Sequence, residues 1–150
     1  MNVNPVFIDT NIFVYAMQNI KKKEKSLQKS EEEDNKRKIA KNFLETVENP
    51  IIISTQVLNE FSNVLIRNKI ENQRIRNLVK AIIEECVIIY SIDLKSIDRA
   101  WDIRIRYNYS YWDSLIISTA LLSGCSILYT EDLQNNQVID NQLKIVNPLL

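Results

Sequence analysis

A chain of 150 residues, 45% of them hydrophobic, with 19 Lys+Arg against 19 Asp+Glu and a formal net charge of zero, suits one domain burying about 70% of its unfolded surface. The absence of histidine excludes Ser-His-Asp triads, Cys-His pairs, HExxH zinc sites and any imidazole base, and a single glycine, Gly124, excludes GxGxxG turns and Walker A loops. The balanced charge and pI near 6.3 advertise no polyanion partner, so any nucleic-acid contact must come from local charge.

The opening MNVNPVFIDT lacks a basic n-region, and no apolar stretch approaches the roughly 20 residues of a membrane span, so a soluble, cytoplasmic protein without membrane contact is expected. Val6 to Asp9 reads as the first strand and Ile12 to Asn19 as the helix after it. Lys21 to Lys38 (KKKEKSLQKSEEEDNKRK) carries one large apolar residue, Leu27, and cannot bury a face. It reads as a solvated excursion containing a flexible loop, in preference to a binding arm.

A helix over Asn35 to Glu48 follows, then a strand, Ile51 to Ser54. Thr55 to Asn68 and Glu71 to Glu85 read as helices, Val87 to Ser91 as a strand, Leu94 to Tyr107 and Tyr111 to Ser123 as helices. Ile127 to Thr130 and Lys144 to Asn147 close the series as strands. Short β-branched runs alternating with segments of helical period predict a three-layer α/β/α domain around a central, mainly parallel sheet of about five strands. Cys86 and Cys125 both lie in apolar surroundings and need not pair.

Right-handed βαβ crossovers put strand C-termini and helix N-termini at one sheet edge, outside which open α/β sheets bind ligands. Asp9 ends the first strand; alone, it is an ordinary helix N-cap. Glu60 lies between Val57 and Val64, at the border of the buried stripe of its helix, where a carboxylate either faces the site or snorkels outward. Asp113 completes an S-x-x-D frame with Ser110, a capping-box variant, yet aligns with Ile116, Ile117 and Ala120 on the side expected to face the sheet. Glu131 and Asp132 follow the fourth strand, beside the Thr130 hydroxyl.

Taken together, four separate elements bring an acid to the same edge. Clustered carboxylates in a partly dry crevice are tolerable if cations neutralise them or some remain protonated, and all-oxygen donors suit Mg²⁺ or Mn²⁺. Carboxylate-held metal can generate hydroxide and stabilise the attacking and leaving oxygens of a phosphodiester displacement, chemistry that needs neither histidine nor a glycine-rich loop.

The run FIDTNIFVYA, ISTQVLNEF, YSYWDSLIISTALLSGC, ILYTEDLQ and KIVNPL resembles the PIN-domain ribonucleases almost end to end, and most closely the toxins of VapBC-type toxin–antitoxin pairs. The resemblance implies a PIN fold and a Mg²⁺- or Mn²⁺-dependent endoribonuclease. It implies Asp9, Glu60, Asp113 and Asp132 as the metal-binding and catalytic quartet, with Asp9 and Asp113 the most direct ligands and Thr10, Asn11, Thr130 and Glu131 around them. An RNA substrate, a homodimer and a small cognate antitoxin covering the site are implied as well. Two departures stand out: the charged 21–38 stretch is longer than usual, and Asn135-Asn136 stands where relatives often carry Gly, a place Asn can fill because it tolerates the left-handed conformation.

Candidate RNA contacts are Arg67, Lys69, Arg74 and Arg76 around one helix junction, and Arg99, Arg104 and Arg106 near Trp101, Tyr107, Tyr109 and Tyr111. Solvated helix faces with aromatics in the core or a dimer interface explain the same residues as well. Two other functions fit the architecture. A receiver-like regulatory module would need a Lys at the end of the last strand, where Asn147-Pro148 stands. A degenerate PIN fold that only binds RNA or a partner would be expected to have lost some of the four acids.

Overall fold

The computed structural model describes residues 4–17 and 27–150. Its elements follow the order β1 (Val6–Ile8), α1 (Thr10–Met17), α2 (Leu27–Thr46), β2 (Ile51–Ser54), α3 (Thr55–Arg67), α4 (Asn72–Glu85) and β3 (Ile88–Tyr90). α5 (Leu94–Tyr107), α6 (Tyr111–Leu122), β4 (Ile127–Tyr129), β5 (Val138–Ile139) and β6 (Leu143–Val146) complete it.

The strands form one six-stranded sheet ordered β3-β2-β1-β4-β6-β5. All pairs are parallel except β5 with β6. The chain moves from β1 outward to β3, with α1 to α4 in the connections, and then returns to β4 through α5 and α6. Right-handed crossovers therefore put α1 to α4 on one face and α5 with α6 on the other, which is the expected three-layer arrangement. α1 packs on α2 and α3, α3 on α4, and α5 on α6, consistent with that division.

Strands β1 and β2 are buried along their whole length, which is why they read as continuous apolar runs without alternation. α6 is buried on nearly all sides from Ser114 to Leu121, because it lies between the sheet and α5. α5 starts at a reciprocal Asp93–Ser96 capping box and stops at Asn108 in the left-handed conformation (φ 61°), which accounts for its boundaries. Gly124 (φ 75°) turns the chain from α6 into β4. Asn136 takes the left-handed conformation (φ 70°) where a glycine was the alternative.

Two local expectations are corrected. α2 begins at Leu27, so residues 27–38 are helical and not an excursion before a helix at Asn35. Residues 21–26 lie outside the described set. Lys, Glu, Arg and Gln are strong helix formers and extend a helix without burying a face, while Ala40, Ile39, Phe43 and Leu44 anchor its second half on the core. The sixth strand, β5, was not anticipated: a two-residue strand has no period to read.

Both cysteines are free, and burial pushes each thiol up to about 12. No helix among the described residues is long and apolar enough to cross a membrane.

Candidate active site

β1 and β4 are neighbours whose onward connections run in opposite directions, so the C-terminal ends of these two strands bound the switch point of the sheet. A cleft of about 480 Å³ opens there. Asp9, Glu60, Asp113, Glu131 and Asp132 all line it. They arrive from the end of β1, the middle of α3, the first turn of α6 and the loop after β4.

Asp9 is 6% exposed. Its Oδ1 accepts the Thr10 N–H at 2.7 Å, and its Oδ2 accepts the Thr130 hydroxyl at 2.9 Å. Burial raises its pKa to about 7; the Thr10 and Thr130 bonds oppose that rise, and the charges of Glu60 and Asp132 add to it. Glu60 is half-buried and accepts the Thr10 hydroxyl at 3.0 Å and Gln56 Nε2 at 2.8 Å.

Asp113, also half-buried, donates its main-chain N–H to the Ser110 hydroxyl at 3.1 Å, so the cap is real and the carboxylate still reaches the cleft. Burial pushes its carboxyl up, the Ser110 bond opposes that, and Asp132 adds repulsion. Asp132 is exposed and accepts Asn11 Nδ2 at 2.8 Å. Thr10, Asn11 and Thr130 thus each hold a different acid. Glu131 is drawn to the cleft wall by Lys36, with which it forms an ion pair, and by the Tyr15 hydroxyl at 3.4 Å.

Several lining residues escaped the sequence reading. Glu33 and Arg37 line the cleft from α2, and Lys36 reaches it through Glu131. The segment read as a solvated excursion is therefore one wall of the site. Gln56, buried at 6% exposure, ties Glu60 to α6 by also donating to the Trp112 carbonyl at 3.0 Å. Its i, i+4 spacing from Glu60 was the available signal.

The proposed RNA-contacting cations separate. Arg67 lines the cleft and makes no ion pair among the described residues; Lys69 sits at the α3–α4 junction in the left-handed conformation (φ 59°) and does not line it. Arg104 is turned to the Tyr109 carbonyl, and Arg106 is bound by Asp102 and Asp140; neither lines the cleft.

Six carboxylates line the cleft, those of Asp9, Glu33, Glu60, Asp113, Glu131 and Asp132, with no histidine or cysteine, a donor set of the hard-cation kind. Among the described residues no group of three or more acidic or thiol side chains is placed to hold a metal ion together; Glu60 and Asp132 accept hydrogen bonds from Thr10, Gln56 and Asn11. Mg²⁺ keeps several waters and needs only one or two carboxylates, so the residues present fit it. A cation would also relieve the repulsion that Glu60 and Asp132 exert on Asp9.

The PIN domain family matches residues 6–139 of the chain. No curated protein matches by sequence. Among solved structures the chain is similar to VapC20 of Mycobacterium tuberculosis, described as a sarcin–ricin-loop-cleaving toxin, at 20% identity and TM-score 0.62 over 85% of this chain and 89% of that one. It is similar to a toxin–antitoxin complex from Klebsiella pneumoniae at 20% identity and TM-score 0.66 over 95% and 97% of the two chains. VapBC2 of Rickettsia felis, bound to promoter DNA, matches at 19% identity and TM-score 0.61 over 95% and 99%. At these identities the likeness establishes the fold.

Proposed function

The chain belongs to the PIN domain family, and from that premise we propose that it is a Mg²⁺- or Mn²⁺-dependent endoribonuclease, the toxin of a toxin–antitoxin pair. The observation that carries this reading is the convergence of Asp9, Glu60, Asp113 and Asp132, from four elements, on one cleft at the switch point of the sheet.

Asp9 and Asp113 would be the most direct metal ligands, with Glu60 and Asp132 completing the acidic pocket. Bound there, the cation supplies Lewis acidity to the scissile phosphate and lowers the pKa of water. Thr10, Asn11 and Thr130 hold the carboxylates in place through the bonds described above. Arg67 lines the same cleft and is placed to meet a phosphate oxygen. A structural neighbour described as a cleaving toxin and two from toxin–antitoxin assemblies support the class of substrate and the antitoxin partner. We further read the chain as one domain, acting in the cytoplasm as a homodimer.

Purified protein incubated with RNA and Mg²⁺ or Mn²⁺ should cleave it, EDTA should stop the reaction, and Asp113→Asn should abolish it without loss of folding. Unchanged cleavage by a folded Asp113→Asn protein would overturn the mechanism. Normal RNA binding in EDTA with no metal-stimulated cleavage would favour a binding module instead.

A further inference from the structure

A second recess, of about 560 Å³, adjoins the acid cleft and shares Glu60 and Asn63 with it. Its apolar wall is made by Trp112, Ile92 and Leu115, and its polar side includes Gln56 and Asn59. Glu60, at the border with the cleft, is the one charged residue in its lining, whereas Arg37 and Arg67 belong to the cleft itself. A phosphate finds no cation in the recess, while a flat neutral group with a hydrogen-bonding edge finds both an aromatic face and amides.

The Trp112 indole is 63% exposed, unusual for so large a side chain, yet it is not loose. The Tyr111 ring stands edge-on to it at 5.3 Å and is itself packed on Trp101 at 5.3 Å, and the Trp112 carbonyl is held by Gln56. Gln56 spends its Nε2 on that carbonyl and on Glu60, which leaves Oε1 buried with no donor. Oε1 has almost no open surface, so it meets a ligand N–H only after a shift of the Gln56 side chain, a shift favoured by the cost of leaving a buried acceptor unpaired.

We propose that this recess seats one unpaired base of the RNA whose phosphodiester lies in the acid cleft, stacked on Trp112 and read along its edge by the Gln56 and Asn59 amides. The proposal rests on the ribonuclease reading and names the part of the substrate that fixes its register. Once shifted, Gln56 offers only an acceptor, so the base must present an N–H to it; Asn59, exposed on the recess wall, can donate or accept and sets which base is preferred.

In a Trp101→Phe protein, Trp112 is the sole tryptophan, so its fluorescence should be quenched by short single-stranded oligoribonucleotides in EDTA, with no catalysis required. In steady-state cleavage with Mg²⁺, Trp112→Ala keeps the main-chain carbonyl that Gln56 needs. It should raise KM roughly fivefold to a hundredfold with kcat within about threefold of wild type, whereas Trp112→Phe keeps most of the affinity. Asn59→Ala should change the preference for the base at one position of the cleaved sequence.

RNA cleavage by the wild type with unchanged KM in Trp112→Ala and no quenching removes the base site and leaves the ribonuclease reading standing. Quenching by RNA without cleavage under any metal removes the ribonuclease reading and leaves the base site. If Trp112→Ala leaves KM for RNA untouched and abolishes binding of a purified cognate antitoxin, the recess belongs to a protein partner and the proposal falls.

Discussion

The Thr130 hydroxyl donates to Asp9 at 2.9 Å, joining residues 121 positions apart that end adjacent parallel strands. The same oxygen accepts the Asp132 main-chain N–H at 3.2 Å and Asn11 Nδ2 at 3.4 Å. One fully buried side chain therefore sets the spacing of the first and last acids of the site. The switch point supplies this proximity, because β1 and β4 pair directly although most of the chain lies between them.

Thr130→Val keeps the shape and removes that hydroxyl. It leaves a carboxylate at 6% exposure short of one donor, and such a loss costs about 1–3 kcal/mol. Urea unfolding should show the variant less stable by that amount in the presence of metal, with RNA cleavage reduced. Wild-type values for both would mean that Asp9 is held by other contacts.

Asp9 is expected to work against the metal-free fold, since burial and the neighbouring charges of Glu60 and Asp132 make its ionised form costly. Asp9→Asn should raise unfolding stability in EDTA at pH 8 by about 1–3 kcal/mol, while wild type, but not the variant, gains midpoint temperature on adding Mg²⁺ or Mn²⁺. A variant that responds to the cation as wild type does would remove Asp9 from the proposed ligands.

Asp9, Asp113 and Asp132 could be placed on one edge because each sits where a strand ends or a helix begins, whereas Glu60, in the middle of α3, could be placed only by its position at the border of the buried stripe. α5 was readable to its bounds, since the capping pair Asp93–Ser96 and Asn108 punctuate it locally. Glu33, Lys36 and Arg37 were not legible as site residues. Judged by burial, their segment has no face to bury, and only the packing of α1 on α2 carries it to the cleft. β5 escaped for a related reason: its two residues are held by pairing with β6 and by left-handed Asp140 and Asn141, neither of which leaves a hydrophobic period.

Arg67 and Arg106 looked equivalent in sequence and should behave differently on RNA. Arg67→Ala removes a cation lining the cleft, so KM should rise several-fold for every RNA tested and the slope of log affinity against log salt should fall by about 1. Arg106→Ala, which loses ion pairs to Asp102 and Asp140, should leave both quantities unchanged while lowering stability. Equal KM effects from the two substitutions would move the RNA path across α5.

Asp140 makes the fold less stable in acid. Its carboxylate accepts from Arg106 at 2.6 and 2.9 Å, from Arg99 at 2.9 Å and from the Tyr107 hydroxyl at 3.0 Å, tying α5 to the β5–β6 turn. Its side chain is only 18% exposed, and the Arg106 bond is the largest of the influences that hold its carboxyl well below the usual range; burial opposes them. A carboxylate depressed in the folded state stabilises above its unfolded value, near 3.9, and that contribution is lost as the pH falls from there toward the folded value. Asp140→Asn keeps a residue that tolerates the left-handed backbone (φ 51°) and removes the charge. Arg106 is substantially exposed, so solvent screening limits the loss to about 1–2 kcal/mol at pH 7. The gap between variant and wild type in urea unfolding should shrink by pH 3, because the unfolded chain then takes up a proton that folded Asp140 refuses. A gap of constant size from pH 7 to pH 3 would assign the stabilisation to shape and not to charge.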